Sequence, residues 1–123
     1  MPFTITWKPD GVIIHLSGEI SFEENMKFNG EIYGDARFEN IRYEIGDYRN
    51  VTKFNISEKE AAVIANLESH SARWNNHLKM AHVTNDPYMT NLIRQYEESM
   101  ADTAWEFGLF ETMEEAEAWV IQD

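Results

Sequence analysis

The 123 residues of this chain include no cysteine, which excludes disulfides, thiol catalysis and cysteine-ligated metal sites. Such a composition is compatible with a reducing compartment, so we expect a cytoplasmic protein. The opening residues, MPFTITWKPDG, do not combine a basic segment with an apolar run, so we expect no secretory signal there. No apolar run approaches the ~20 residues of a membrane-spanning helix, and we therefore expect no membrane span.

Positive charge is also scarce. The chain has ten Lys and Arg residues and 22 Asp and Glu residues, which give a formal net charge of -12. After Arg94 the sequence contains no Lys or Arg at all. A chain this acidic is repelled by phosphate backbones and anionic lipid headgroups, so nucleic acid is not expected as a partner. The acidic C-terminal segment indicates a solvated surface, and a docking surface for a basic partner is the alternative.

The familiar catalytic and cofactor-binding motifs are missing as well. The sequence has neither a Gly-x-Ser-x-Gly elbow nor a glycine-rich phosphate loop. Its four histidines, His15, His70, His77 and His82, form no pair at metal-ligand spacing, and we expect His15 and His82 to be packed or hydrogen-bonded on strands. We therefore expect no enzyme activity, no cofactor and no metal site.

What the sequence does contain is a regular alternation of β-rich and helical segments. The turn KPDG separates two β-rich runs and predicts an N-terminal hairpin, residues 3–8 and 12–18, with Pro9 fixing φ and Gly11 accepting positive φ. The later strands are predicted near 41–46, 78–84 and 104–110, and the helices over 21–34, 57–74, 86–100 and 112–120.

Capping residues support these helices. Ser21 with Glu24, Ser57 with Glu60 and Thr112 with Glu115 have capping-box spacing, while Asp86 followed by Pro87 is a typical helix start. The third helix has an apolar stripe for the core, namely Met89, Leu92, Ile93, Tyr96 and Met100. In the second helix the apolar spacing selects Val63, Leu67, His70 and Trp74.

The resulting order, β-β-α-β-α-β-α-β-α, predicts an α/β fold. Strands that alternate with helices run parallel and are joined by right-handed crossovers, whereas the first hairpin adds one antiparallel pair. We expect one domain spanning residues 1–123, with a mostly parallel five-stranded sheet and about four helices.

The segment from Asp47 to Ile64 resembles the SpoIIAA-like, or STAS, domains of bacterial anti-sigma-factor antagonists, in their looser and mostly uncharacterised branch. In that family a strand ends in Asp, a hydrophobic residue, turn residues and Val. A short apolar stretch follows, and Asp-Ser-Ser/Thr-Gly then opens a helix. Asp47, Tyr48, Val51 and Phe54 match the first part, and the run Asn55-Ile56-Ser57-Glu58 lies where the second would be. The resemblance implies a regulatory module that binds a protein partner without catalysis and can form a homodimer.

Ser57 falls on the phospho-acceptor position of that family, yet Asn55, Ile56 and Glu58 depart from its motif. A phosphate there would gain from the helix N-terminus and would be opposed by Glu58 and Glu60. The capping box favours a plain helix cap, with a phospho-switch as the sharper alternative. The candidate interaction surface comprises Asn55, Ser57 and Glu58, with Asp86 and Tyr88 beside them in the NDPY segment after a strand.

A different reading comes from the aromatic and methionine residues of the C-terminal half. They are Tyr88, Met89, Tyr96, Met100, Trp74, Trp105, Met113 and Trp119. Core packing is the ordinary account of such residues. The alternative is a pocket or patch between the second and third helices that takes a small apolar ligand or a second copy of the chain.

Overall fold

The computed structural model describes residues 2–122, which form five strands, four α-helices and one short 3-10 helix. In chain order the elements are β1 Phe3–Lys8, β2 Gly11–Ser21, α1 Phe22–Tyr33, the 3-10 helix Ala36–Glu39, β3 Tyr43–Asn55, α2 Glu58–Ser71, β4 Lys79–Val83, α3 Pro87–Ser99, β5 Glu106–Phe110 and α4 Met113–Val120.

The five strands form one sheet in the order β1-β2-β3-β4-β5. The β1–β2 pair is antiparallel, and the other three pairs are parallel. This arrangement confirms the predicted α/β architecture, with its N-terminal hairpin and mostly parallel five-stranded sheet.

The hairpin turn is closed by Lys8 paired with Gly11. Gly11 was predicted to be needed for positive φ, but among the described residues only Gly18 has positive φ, at +71°. Gly11 is needed for space instead, because a Cβ atom there would lie 2.3 Å from the ring of Tyr43. Gly18 lies at a break in the β2–β3 register, where the left-handed backbone favours glycine.

The helices lie on two faces of the sheet. The strand order β2 to β5 runs in one direction, so right-handed crossovers put α1, α2 and α3 on the same face. The larger core lies there, with Ile14, Phe28 and Ile32 among its buried residues. On the opposite face α4 buries Ala116 and Val120 against Ile45 and Val83.

Two strands are longer than the sequence indicated. The third strand was predicted near 41–46 and the second near 12–18, but β3 runs to Asn55 and β2 to Ser21. Residues 48–55, matched to the turn residues, the Val and the short apolar stretch of the family motif, instead pair with β2 as far as Asn55. The β-branched and aromatic residues Val51, Thr52 and Phe54 favour this continuation of the strand. It was not predicted because the polar residues between them interrupt the hydrophobic pattern.

The predicted buried face of α2 was wrong. Val63 and Leu67 are largely exposed, and Trp74, beyond the helix end, is 71% exposed. The buried side chains of α2 are Ile64 and Glu68, one position away from those chosen. The inner face of α2 carries small residues and a carboxylate. A prediction based on large apolar side chains therefore chose the outer face. The stripe predicted for α3 is confirmed, since Met89, Ile93 and Met100 are buried.

The predicted caps are present. Ser21 and Ser57 form complete capping boxes, and Asp86 caps α3 with Pro87 at its first position. Thr112 caps α4 by accepting from the Glu115 amide, while its hydroxyl, rather than its backbone, donates to the Glu115 carboxylate. In residues 2–122 no helix has both the length and the apolar character to cross a membrane.

Candidate functional site

The five residues proposed from the sequence come together at the edge where β3 and β4 end. Asn55, Ser57, Asp86 and Tyr88 line a groove of about 480 Å³, although they come from two separate loops. Glu58 lines a larger neighbouring cavity, whose wall also includes Ser57 and Tyr88. We call these five residues the rim. The carboxyl ends of parallel strands are the usual place for such a site in an open α/β sheet.

Ser57 is exposed and takes part in a reciprocal pair of hydrogen bonds with Glu60. Its hydroxyl accepts from the Glu60 amide at 3.1 Å, and its own amide donates to the Glu60 Oε1 atom at 2.9 Å. The side chain that would accept a phosphate is therefore already the cap of α2.

The other rim residues are held by short-range contacts. The Asp86 carboxylate accepts a hydrogen bond from the backbone amide of Tyr88 at 3.0 Å. The side-chain amide of Asn55 donates to the Glu19 carboxylate on β2 at 3.4 Å. The Tyr88 side chain is 57% exposed. The rim thus presents an exposed aromatic ring between ordered polar groups.

Behind the rim, a cavity of about 830 Å³ lies between α1, α2, α3 and the sheet. Its wall on α2 includes the small side chains of Ala61, Ala62 and Ala65 beside Ile64 and Glu68. Its apolar lining includes Phe28, Met80 and Ile93. The cavity therefore exists because α2 presents alanines where a packed helix would present large residues.

Two glutamates face this cavity from opposite sides. Glu44 on β3 is 4% exposed and Glu68 on α2 is 6% exposed. Burial raises the pKa of Glu44 to about 8, and the negative charge of Glu68 adds to this shift. Burial also raises the pKa of Glu68 to about 7, while hydrogen bonding to Tyr33 and the nearby Tyr96 hydroxyl opposes the shift. Near neutral pH, both carboxyls can therefore hold or release a proton.

Three tyrosines share this environment. Tyr33 donates a hydrogen bond to Glu68 at 2.5 Å, and the Tyr96 hydroxyl contacts the Met80 sulfur at 3.5 Å. Burial raises the pKa of Tyr33, Tyr48 and Tyr96, and the nearby glutamate charges add to the shift. These phenols consequently stay neutral and keep a hydroxyl proton that can be donated.

His82 on β4 completes the polar lining. Its ring is tilted against Tyr48, meets Tyr96 edge-on and is stacked with Phe107, with centroid separations between 5.7 and 6.5 Å. Its Nδ1 atom is buried 3.7 Å from Glu97 Oε2, which is too long for a hydrogen bond. Neither atom has a partner among residues 2–122. The expectation of a packed His82 is confirmed, and it also lines the cavity.

His15, by contrast, lies on the other face of the sheet, and its Nδ1 atom donates a hydrogen bond to Asp47 Oδ2 at 2.9 Å. Asp47 also accepts hydrogen bonds from the Nε and Nη2 atoms of Arg49. Burial opposes ionisation of Asp47, but the hydrogen bonds from Arg49 and His15 outweigh it and lower its pKa. In the described part of the chain, no group of three or more His, Asp or Glu residues is arranged to hold a metal ion.

The two glutamates of this cavity were not predicted from the sequence. Glu44 lies on a predicted strand and Glu68 on a predicted helix, but neither was singled out. A detectable signal was present: Glu68 follows Ala61, Ile64 and Ala65 at the spacing of one helix face. Of the C-terminal aromatics and methionines proposed as a lining, only Tyr88, Met89 and Tyr96 line the cavity.

The remaining members of that set lie elsewhere. Trp105 and Met100 are buried in the core, and Trp119 and Met113 pack on the α4 face. The indole of Trp105 donates to the Asn75 carbonyl at 2.7 Å, which ties it to the loop after α2. The pocket thus takes several of its aromatic rings from the N-terminal half, namely Phe28, Tyr48 and Phe54, and is more acidic than the sequence predicted.

Comparison of sequences finds no family model that matches this chain. No curated protein matches it either. The similarity to known proteins is therefore found in three-dimensional structure.

Solved structures with this arrangement include the anti-sigma factor antagonist SpoIIAA in its unphosphorylated form. It has a TM-score of 0.68 and 14% identity, and the match covers 96% of this chain and 95% of that one. An anti-sigma factor antagonist from Mycobacterium paratuberculosis has a TM-score of 0.65 and 13% identity, over 98% and 93% of the two chains. An uncharacterised Shewanella loihica protein with a SpoIIAA-like fold has a TM-score of 0.61 and 15% identity, over 96% and 91%.

These matches extend over nearly the whole chain and agree with its strand order, its hairpin and its four helices. The chain therefore has the SpoIIAA-like fold, which is the fold of STAS domains.

Proposed function

We propose that this chain is a non-enzymatic regulatory module that binds a protein partner through the rim. The observation that carries this proposal is the convergence of Asn55, Ser57, Asp86 and Tyr88 on one groove, in a fold shared with anti-sigma factor antagonists. An exposed aromatic ring with polar groups around it suits a protein contact, because tyrosines are enriched where interfaces are strongest.

Affinity capture from the native host tests this proposal. The bait is the wild-type chain, compared with a rim variant that combines Glu58→Arg with Tyr88→Ala. The matched control is Glu114→Arg, which makes the same charge change on exposed α4, on the opposite face of the sheet. We expect a protein that is retained by the wild type and the control and lost by the rim variant. A partner lost equally from the control, or retained by the rim variant, contradicts the proposal.

Regulation by phosphate at Ser57 is a separate part of this proposal, and the structure supports the capping role more directly. Ser57→Asp retains an N-cap acceptor and adds charge, whereas Ser57→Ala removes the cap without adding charge. A switch requires Ser57→Asp alone to change partner capture. If neither substitution alters any captured partner, Ser57 serves only as the helix cap.

A second candidate function is a carrier or sensor of a small ligand, and the 830 Å³ cavity favours it. Ligand pockets in proteins are commonly between 300 and 1,000 Å³. Native mass spectrometry of the freshly purified chain tests this function. We expect an added mass that disappears under denaturing conditions; a bare protein mass from several preparations counts against a resident ligand.

Self-association also stays a prediction, and the exposed apolar pair Val63 and Leu67 on the outer face of α2 supports it. Sedimentation of the wild type against Leu67→Glu tests it. We expect a dimer that the substitution converts to a monomer, and a monomeric wild type at high micromolar concentration would exclude it.

A further inference from the structure

The cavity contains a buried acceptor that the described residues leave unsatisfied. Glu44 is only 4% exposed, yet its Oε1 atom has no hydrogen-bond partner within residues 2–122. An unpaired buried acceptor destabilises the folded state, because the atom loses its hydrogen bonds to water and gains none from the protein. A bound donor would remove that cost.

A second acceptor lies across the same space. Glu68 accepts a hydrogen bond from Tyr33 and lines the cavity opposite Glu44. Glu58 adds a third carboxylate to the wall, yet no Lys or Arg is among the described residues that line it. An anionic ligand would therefore find no Lys or Arg to pair with and would be repelled by an ionised carboxylate, whereas a cation would pair with that carboxylate.

The rest of the wall suits an apolar body. Phe28, Ile64, Met80, Leu92 and Ile93 all contribute to it. The rings of Tyr48 and Tyr96, on either side of His82, add aromatic faces that attract a cation. The site thus combines a small acidic region with a larger apolar one.

We propose that the cavity binds a small amphipathic amine, whose ammonium group donates hydrogen bonds to Glu44 and Glu68 and whose apolar body packs against the α1–α2–α3 wall. This inference rests on the second candidate function, ligand binding, and specifies the chemical class of the ligand. It does not involve a partner at the rim.

Isothermal titration at pH 7 with three probes of equal chain length tests it: octylamine, octanol and octanoate. We expect octylamine to bind about tenfold or more tightly than octanol, because hydrogen bonds to charged groups contribute more than neutral ones. Octanoate is expected to show no binding. In Glu44→Gln and in Glu68→Gln, octylamine should bind at least about tenfold more weakly. Glu114→Gln, an exposed glutamate on α4, is the matched control and should bind like the wild type.

The results separate the two levels of the proposal. If octanol or octanoate binds as tightly as octylamine, ammonium recognition is wrong while ligand binding stands. If none of the three probes binds, both fail. Unchanged octylamine affinity in Glu44→Gln also overturns the assignment, since glutamine keeps the shape of the side chain but cannot ionise to pair with the ammonium.

A proton measurement on the wild type provides a test that needs no variant. Glu44, with its pKa raised to about 8, carries a proton at pH 7, and an arriving ammonium favours its ionised form. The titratable groups that line its cavity are Glu58 and Glu68 from α2, Tyr96 from α3, Tyr48 on its own strand and His82 from β4. Tyr33 from α1 lies behind them and is hydrogen-bonded to Glu68. We expect octylamine binding to release protons, seen as titration heats that depend on the buffer's ionisation enthalpy. Equal heats in all buffers at pH 7 contradict the proposal.

Discussion

Tyr33 on α1 donates a hydrogen bond of 2.5 Å to Glu68 on α2, and the bond joins two helices beside the cavity. Both side chains are mostly withdrawn from solvent. The bond is therefore a tie between α1 and α2 as well as a partner for a buried carboxylate.

Removal of this bond should destabilise the fold. Tyr33→Phe removes the hydrogen bond from Tyr33 to Glu68, and hydrogen bonds to charged groups typically contribute about 1.5–3 kcal/mol. We expect the free energy of unfolding, measured by urea titration at pH 8, to fall by roughly that amount. Tyr88→Phe is the control, because the Tyr88 side chain is exposed, and equal losses in the two variants would contradict the assignment.

Stability should fall as pH rises from about 5 to about 8. The pKa of Glu44 is raised to about 8 and that of Glu68 to about 7, so the folded state holds protons that the unfolded state has released. Their contribution is fully present below the unfolded value of about 4.5 and is lost as pH passes through 7 and 8. The expected decrease is on the order of a few kcal/mol, measured by urea unfolding at pH 5, 6.5 and 8.

The combined variant Glu44→Gln with Glu68→Gln should flatten this dependence, because both titrating groups are gone. Tyr33, Tyr48, Tyr96 and His82 surround the pair and remain in that variant. A slope as steep as that of the wild type would show that other groups are responsible.

Loss of the cap at Ser57 should have a modest effect. Ser57→Ala removes the acceptor for the Glu60 amide and should cost about 1 kcal/mol of unfolding free energy. Ser57→Asp should remain close to the wild type, because aspartate also caps helices. Thermal unfolding of the three proteins checks the order, and a larger loss for Asp than for Ala would contradict the capping role.

Asn75 connects three parts of the fold. Its amide nitrogen donates to the carbonyls of Phe38 and Ile41 at 2.8 and 2.7 Å, and its Oδ1 accepts from the His77 amide. Asn75→Ala should therefore destabilise by roughly 2–4 kcal/mol, because buried backbone groups lose their partners. Asn76→Ala, at the exposed neighbour, should change stability by less than about 0.5 kcal/mol. Urea titrations that give similar losses for both would overturn this account.

The sheet could be predicted because its signals are local. Alternating apolar residues define the strands, and Ser21, Ser57, Asp86 and Thr112 mark helix starts by side-chain chemistry alone. The right-handed crossover rule then orders the elements without further information. The same rule brought Ser57 and Asp86 to one edge of the sheet, as predicted for the rim.

The cavity could not be predicted in the same way, because it depends on what α2 lacks. Hydrophobic periodicity ranks Val63 and Leu67 above Ala61 and Ala65, although the smaller residues face inward. A buried glutamate also contradicts the ordinary preference for exposed charge. Only the packing of three helices over the sheet reveals that Glu44 and Glu68 face the same space.

The extension of β3 beyond β4 also affects local dynamics. β4 pairs only with Tyr43–Asp47, so residues 48–55 are held in the sheet by β2 alone, through a register with two irregularities. A two-stranded ribbon opens more readily than a strand with neighbours on both sides. Amide protons of residues 48–55 should consequently exchange with deuterium well before those of residues 44–47. Asn55, Ser57 and Glu58 of the rim therefore follow a segment with less support than the central strands, and this part of the rim can adjust locally without their unfolding.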